Sequence, residues 1–211
     1  VKLYHGTSDR HLPAILRDGI RPRGKREGNW KHTSDSHPDC AYLTNAYAHY
    51  FAISALETKR EQCAVVEIDT DKLDAFFLLP DEDALAQVHK KAYGGDLLKL
   101  TAFYRDSLFD YCGGNAWRDS VKFLGTCAYF GVIPTAAITR IATFSREGVV
   151  RYADPTITLQ NYQIMGAYYR NLVRAAFNDD EIEPDMMQPI RTPAPVAGVL
   201  HLVNRRVRQI A

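Results

Sequence analysis

No apolar run in this sequence approaches the roughly 20 residues that a membrane-spanning helix requires. The N-terminus also lacks the charged-then-apolar pattern of a signal peptide, so a cytoplasmic protein with no membrane partner is expected. Cysteine is scarce: Cys40, Cys63, Cys112 and Cys127 lie far apart, with no CxxC pair and no paired-histidine spacing. That scatter argues against a metal site and a disulfide framework, and for reduced thiols. A formal net charge of +1 gives no global attraction to nucleic acid or to a lipid surface. No internal repeat is evident, and glutamate is missing from residue 83 to residue 146.

What is present is enough for a core. With 211 residues and 46% hydrophobic content, the chain can form one domain with an appendage. Its charge is unevenly spread: residues 1–60 hold ten basic and six acidic side chains, whereas 61–96 hold three basic and nine acidic. Four of the basic residues, Arg21, Arg23, Lys25 and Arg26, share one loop with Pro22 and Gly24. Such a loop is usually a solvated surface. Arginine also grips diphosphate through its planar fork, and glycines let a loop close over a dinucleotide.

The chain opens with Tyr4-His5-Gly6-Thr7, in which a side-chain donor precedes a main chain that nothing shields. Leu12, Ile15, Leu16 and Ile20 then recur at helical spacing, with Ser8 or Asp9 able to cap, Pro13 tolerable in the first turn, and Gly19 suited to the stop. Ala41-Tyr42-Leu43-Thr44-Asn45 is strand-like, and 46–56 is helical with Tyr47, Tyr50, Phe51 and Ser54 on related faces. A strand at 63–68, helices at 81–91 and 99–111, and β-rich runs at 121–130 and 137–144 follow. Gly94-Gly95 and Gly113-Gly114-Asn115 mark turns. This order suggests an α+β fold, with two packed antiparallel sheets and flanking helices. Residues 157–177 read as a long helix, 178–195 as a linker or wrapping segment, and 196–211 as a basic-apolar tail carrying Arg205, Arg206 and Arg208. The expected division is a domain over 1–150 and a C-terminal helix and tail over 151–211.

The succession from Tyr4-His5-Gly6-Thr7 through the first helix to the aromatic segment at 42–52 resembles the ADP-ribosyltransferase superfamily. It looks closer to the diphtheria-toxin and poly(ADP-ribose) polymerase branch than to the arginine-specific one. The resemblance covers roughly residues 3–145. It implies a split core of two antiparallel sheets and NAD as co-substrate. His5 would bond a ribose hydroxyl, Gly6 would hold the nicotinamide carboxamide through its backbone, and Thr7 completes the NAD-binding motif. Tyr42 and Tyr50 would sandwich the nicotinamide ring, with Tyr47 where the family often has a serine. Arg21 and Arg23 would approach the diphosphate. Against this stands the plainer reading of the tyrosines as one face of an amphipathic core helix.

The chain departs from the family at the third motif. The branch often has a catalytic glutamate ahead of a Val/Ile-Pro step, here Val132-Ile133-Pro134. Counting back places Thr126, or else Gly125 or Cys127, at that position. Asp119 is the nearest acid, in a segment at 113–120 where the family keeps a target-recognition loop. A non-acidic third residue implies single ADP-ribose transfer without chain growth, catalysed by His5, Tyr42, Tyr50, Thr126 and Asp119. The expected function is thus an NAD-dependent mono-ADP-ribosyltransferase, a pentosyl glycosyl transfer with no metal. An intracellular bacterial or phage toxin or defence effector is the expected setting, and a toxin implies an antitoxin or chaperone partner. The arginine clusters, with Trp30 and Trp117 as stacking faces, tilt the acceptor toward RNA or DNA over protein. Two alternatives stand: a catalytically inactive NAD or ADP-ribose reader, and an NAD-dependent RNA 2′-phosphotransferase. The latter normally shows a Leu-Arg-His segment that is not found here.

Overall fold

The computed structural model describes residues 1–26 and 36–146, together with Phe177 and Leu202. Trp30, the helix expected at 157–177 (Phe177 apart), the linker and the basic tail lie outside the described residues, as does most of the expected 151–211 region. Among the described residues the fold is mixed α and β, with five α-helices and six strands. The strands are β1 (Lys2–Ser8), β2 (Cys40–Thr44), β3 (Cys63–Asp69), β4 (Leu78–Pro80), β5 (Thr126–Phe130) and β6 (Ile138–Phe144). The helices are α1 (Leu12–Asp18), α2 (Ala48–Ser54), α3 (Glu82–Tyr93), α4 (Leu97–Asp106) and α5 (Ala116–Leu124).

Hydrogen bonding joins the strands in the order β4-β5-β2-β1-β3-β6, one sheet where two packed sheets were expected. The β1–β3, β3–β6 and β4–β5 pairs are antiparallel, and β1 meets β2 antiparallel through Tyr4 opposite Thr44. The chain falls into two compact units whose segments interleave. Described residues of the first are 1–19, 43–72 and 134–146 with Phe177; those of the second are 20–26, 36–42 and 73–133 with Leu202.

In the first unit β1 lies along β3 through seven consecutive residue pairs, from Lys2 opposite Asp69 to Ser8 opposite Cys63. Its far end is fastened by side chains: Ser8 donates to Glu61 at 2.8 Å, and Arg10 pairs with Glu57 and Glu61. Ser8 caps a short 3-10 turn ahead of α1, Pro13 sits in the first turn of that helix, and Gly19 ends it with φ 83°. In the second unit Leu79, Leu85, Tyr104, Leu108 and Ala128 form a core on which Leu202 also packs.

A second sequence expectation needs correcting. The stretch read as β-rich from Val121 is helical to Leu124, because Trp117, Ser120 and Val121 form one buried helical face. Gly125, at φ 82° and ψ 3°, supplies the left-handed stop that separates this helix from β5. The segment expected to be a target-recognition loop is therefore largely α5, and Trp117 is a core residue, not a stacking surface.

All four cysteines are free thiols; Cys40, Cys63 and Cys127 are buried and Cys112 is half-buried. Burial raises each thiol pKa, that of Cys63 to about 11.

Candidate active site

The first unit gathers His5, Gly6, Thr7, Tyr47 and Tyr50 of the expected site around β1 and α2. The reason lies in side-chain size. A Cβ placed on Gly6 would stand 1.9 Å from the carbonyl oxygen of Ala48 and 2.7 Å from the amide nitrogen of Ala52. Glycine is required here because the helix backbone rests directly on the strand. The helix answers with its own small residues, Ala48 and Ala52, both fully buried. Its start is set by Thr44, whose hydroxyl oxygen accepts from the amides of Ala46 and Tyr47 at 2.9 and 2.8 Å.

With alanines and His49 turned inward, α2 keeps its larger aromatics off the core. Tyr47, Tyr50 and Phe51 are half-buried and Ser54 is exposed, so the plainer reading of the tyrosines as a core face does not describe this helix. Phe51 stands edge-on to both tyrosines, at 6.4 Å from Tyr47 and 5.9 Å from Tyr50, which gives a small aromatic surface. Strand alternation puts Gly6 under α2 and turns His5 and Thr7 to the opposite face of β1. His5 is half-buried and Thr7 buried. The residues on either side of Gly6 therefore approach a ligand from a different face than the tyrosines do.

The remaining expected residues, Arg21, Arg23, Tyr42, Asp119 and Thr126, belong to the second unit. Arg21 is exposed, and Asp119 is half-buried in the first turn of α5. The Arg23 guanidinium folds back to donate to the carbonyls of Arg26 at 2.6 Å and Ser36 at 2.5 Å, so it staples its own loop. Tyr42 donates a very short hydrogen bond to Glu82, and its oxygen accepts from the His37 amide at 2.9 Å. Glu82 is fully buried; its Oε1 also accepts from the His37 amide at 2.7 Å, while its Oε2 has no hydrogen-bond partner among the described residues.

Burial, reinforced by the neighbouring Asp81 and Asp83 carboxylates, pushes the Glu82 carboxyl up to about 8. Burial, followed by the neighbouring Glu82 carboxyl, also raises Tyr42 well above the ordinary phenol range. Asp81 caps α3 by accepting from the Ala84 amide at 3.0 Å and also accepts from the Thr126 hydroxyl. Thr126 thus sits beside a carboxylate borne by the neighbouring strand end. The register agrees, since Pro80 faces Cys127.

Asp81, Glu82 and His37 were not singled out by sequence reasoning. The signal was there for Glu82: it falls at helical spacing with Leu85, Ala86 and His89, all buried, so an acid occupies a core position. The second unit also contains a cavity of about 410 Å³ lined by Arg23, Lys25, His37, Arg105, Asp106 and Phe109 among others. No group of three or more metal-ligating side chains occurs among the described residues.

No protein-family model matches the sequence, and no curated protein does. Among solved structures the chain is similar to EcPltA, with a TM-score of 0.38 and 13% identity over 70% of this chain and 78% of that one. A likeness of that size carries no argument about the site.

Proposed function

We propose that the protein is an NAD-dependent mono-ADP-ribosyltransferase. The observation that carries this reading is the backbone contact of α2 on Gly6, which fixes three half-exposed aromatic rings next to the strand bearing His5. Pairing of β1 with β2 runs through Tyr4 opposite Thr44, ahead of His5. Along that edge a ligand can touch His5 from one side and the aromatic face of α2 from the other.

The nicotinamide of NAD is a flat, cationic ring, for which tyrosine faces are suited. Tyr50 stacks on it in this reading, and His5 donates to a ribose hydroxyl. The bond between ribose C1′ and the nicotinamide nitrogen breaks, and the electron pair leaves with neutral nicotinamide. An oxocarbenium-like centre remains, and an acceptor nucleophile forms the new bond at C1′. The acceptor proton goes to solvent or to a group on the target. The chain contributes mainly positioning and electrostatic shaping. With a threonine hydroxyl already committed to Asp81 at the third position, transfer stops at one unit.

A second reading is favoured by one specific observation. Tyr42 and Thr126 both spend their hydroxyls on buried carboxylates of the second unit, which suits an NAD or ADP-ribose reader that has lost catalysis. Incubation with NAD decides between them. Nicotinamide release that disappears in Tyr50→Ala supports the transferase. NAD binding by calorimetry with no release under any condition establishes the reader, and neither binding nor release refutes both.

A further inference from the structure

A succession of aromatic rings crosses the second unit and takes no part in the chemistry proposed above. Phe76 stands 5.3 Å from Phe77, Phe77 5.9 Å from Phe130, Phe130 4.8 Å from Phe109, and Phe109 5.6 Å from His37. Both outer phenyl groups of this row face solvent, with Phe76 53% and Phe109 43% exposed. Exposed rings that lie together signal a contact surface more often than isolated ones do.

These rings are held in place. The Phe76 amide donates to Asp74 Oδ1 at 2.9 Å, and its carbonyl accepts from the Gly113 amide at 3.1 Å. Its ring rests over Gly113, where a Cβ would come within 3.2 Å of Cδ2. Phe109 is fixed edge-on against Phe130 at 82° and against His37 at 87°. At the His37 end the row opens into the 410 Å³ cavity, which adds Lys25 and Arg105. The Asp39 amide donates to His37 Nδ1 at 3.1 Å, which places the ring proton of neutral His37 on Nε2, as a donor.

We propose that this row binds single-stranded nucleic acid, with bases stacking on Phe76 and Phe109 and backbone phosphates at Lys25 and Arg105. Aromatic platforms hold unpaired strands because every base has a face to stack. Asp39 and Asp106 line the same cavity, and Asp106 lies 3.5 Å from the Arg105 guanidinium. Local charge is therefore nearly balanced. Stacking, rather than charge, carries the affinity, and the salt dependence is shallow. A duplex, with its bases already stacked, offers the rings little. The inference rests on the transferase reading only for what the bound strand undergoes: it names the class of the acceptor.

The test uses the whole chain without NAD and fluorescein-labelled single strands of about ten nucleotides, RNA and DNA, read by anisotropy. Single strands are expected to bind at least tenfold more tightly than a duplex of the same sequence. Phe76→Ala and Phe109→Ala each weaken binding by roughly tenfold, the loss of one stacked base. Lys25→Glu lowers the salt slope by about one phosphate. Thermal melting is measured alongside, so that a loss of binding is read only from variants that remain folded at the assay temperature. Absence of single-strand binding, equal binding of duplex, or phenylalanine variants that bind like the parent would each overturn the proposal. Self-association that vanishes in the Phe76→Ala, Phe109→Ala pair would overturn it too, by making the row an interface between copies. Nicotinamide release, assayed without oligonucleotide, fails or succeeds separately and bears on the enzyme reading alone.

Discussion

Replacing Gly6 by alanine tests the feature from which the site is built. The added Cβ would lie 1.9 Å from the Ala48 carbonyl oxygen and 2.7 Å from the Ala52 nitrogen, where about 3 Å is the least that non-bonded atoms tolerate. Both obstructing atoms are backbone, so no rotamer change relieves the contact, and α2 as a whole must withdraw by rather more than 1 Å. Overpacking of a core contact typically costs about 1–3 kcal/mol, and a helix that retreats also loosens Ala48 and Ala52 from β1. A shift of about 1 Å in a positioning element can lower turnover on the order of a hundredfold. Gly6→Ala is thus expected to lower the urea midpoint and to abolish most nicotinamide release. Ala48→Gly in addition should restore neither, because the clash is with a carbonyl and not with a methyl group. A Gly6→Ala protein with parental stability and activity, or one rescued by Ala48→Gly, would show that the packing argument is wrong.

Three further outcomes follow from particular side chains. Tyr50→Ala, at a half-buried position off the core face, should weaken NAD binding by about 1 kcal/mol from lost stacking, with little change in melting temperature; calorimetry reads both. Glu82 holds its proton up to about pH 8 when folded against 4.5 when unfolded, so the folded state binds more protons across that window and stability falls as pH rises through it. Glu82→Gln, which keeps an acceptor for Tyr42 and His37, should flatten that decline in urea titrations at pH 5 and 8; an unchanged slope would refute the assignment. His49, buried and stacked on Phe144 at 4.4 Å, has its pKa lowered from 6.5 to about 4 by burial. Its contribution is present above pH 6.5 and lost as pH falls toward 4, and His49→Phe should remove that acid limb in the same titrations.

The first third of the chain was largely legible because its signals are local. His5-Gly6, the apolar spacing from Leu12 to Ile20, the stop at Gly19 and the strand before Thr44 each specify an element without distant help. The helix that carries Tyr50 was also visible, but which of its faces is buried was not. Tyrosine at helical spacing suggests core by composition, whereas the decisive contact is between Gly6 and two alanines some forty residues away. The missed helix α5 has a similar cause. Val121, Phe123 and the strand that follows share β-favouring residues, and only the left-handed conformation of Gly125 separates them. The attachment of Tyr42 to Glu82 and of Thr126 to Asp81 depends on the pairing of β4 with β5, a long-range choice that no short window contains. The carboxylate beside Thr126 is that of Asp81, which lies outside any short window around residue 126.

The buried thiols make it possible to time the opening of each part of the molecule. Cys63 belongs to the first unit, and Cys40 and Cys127 to the second, each nearly inaccessible when folded. Their raised pKa values and burial keep them unreactive toward a thiol reagent until the surrounding structure opens. The rate at which Cys63 is labelled therefore reports one unit, and the rates at Cys40 and Cys127 report the other. Equal rates would mean that the interleaved segments open together, and unequal rates that one unit can open while its neighbour stays closed. Peptide mapping after a labelling pulse distinguishes the two without introducing a single foreign residue.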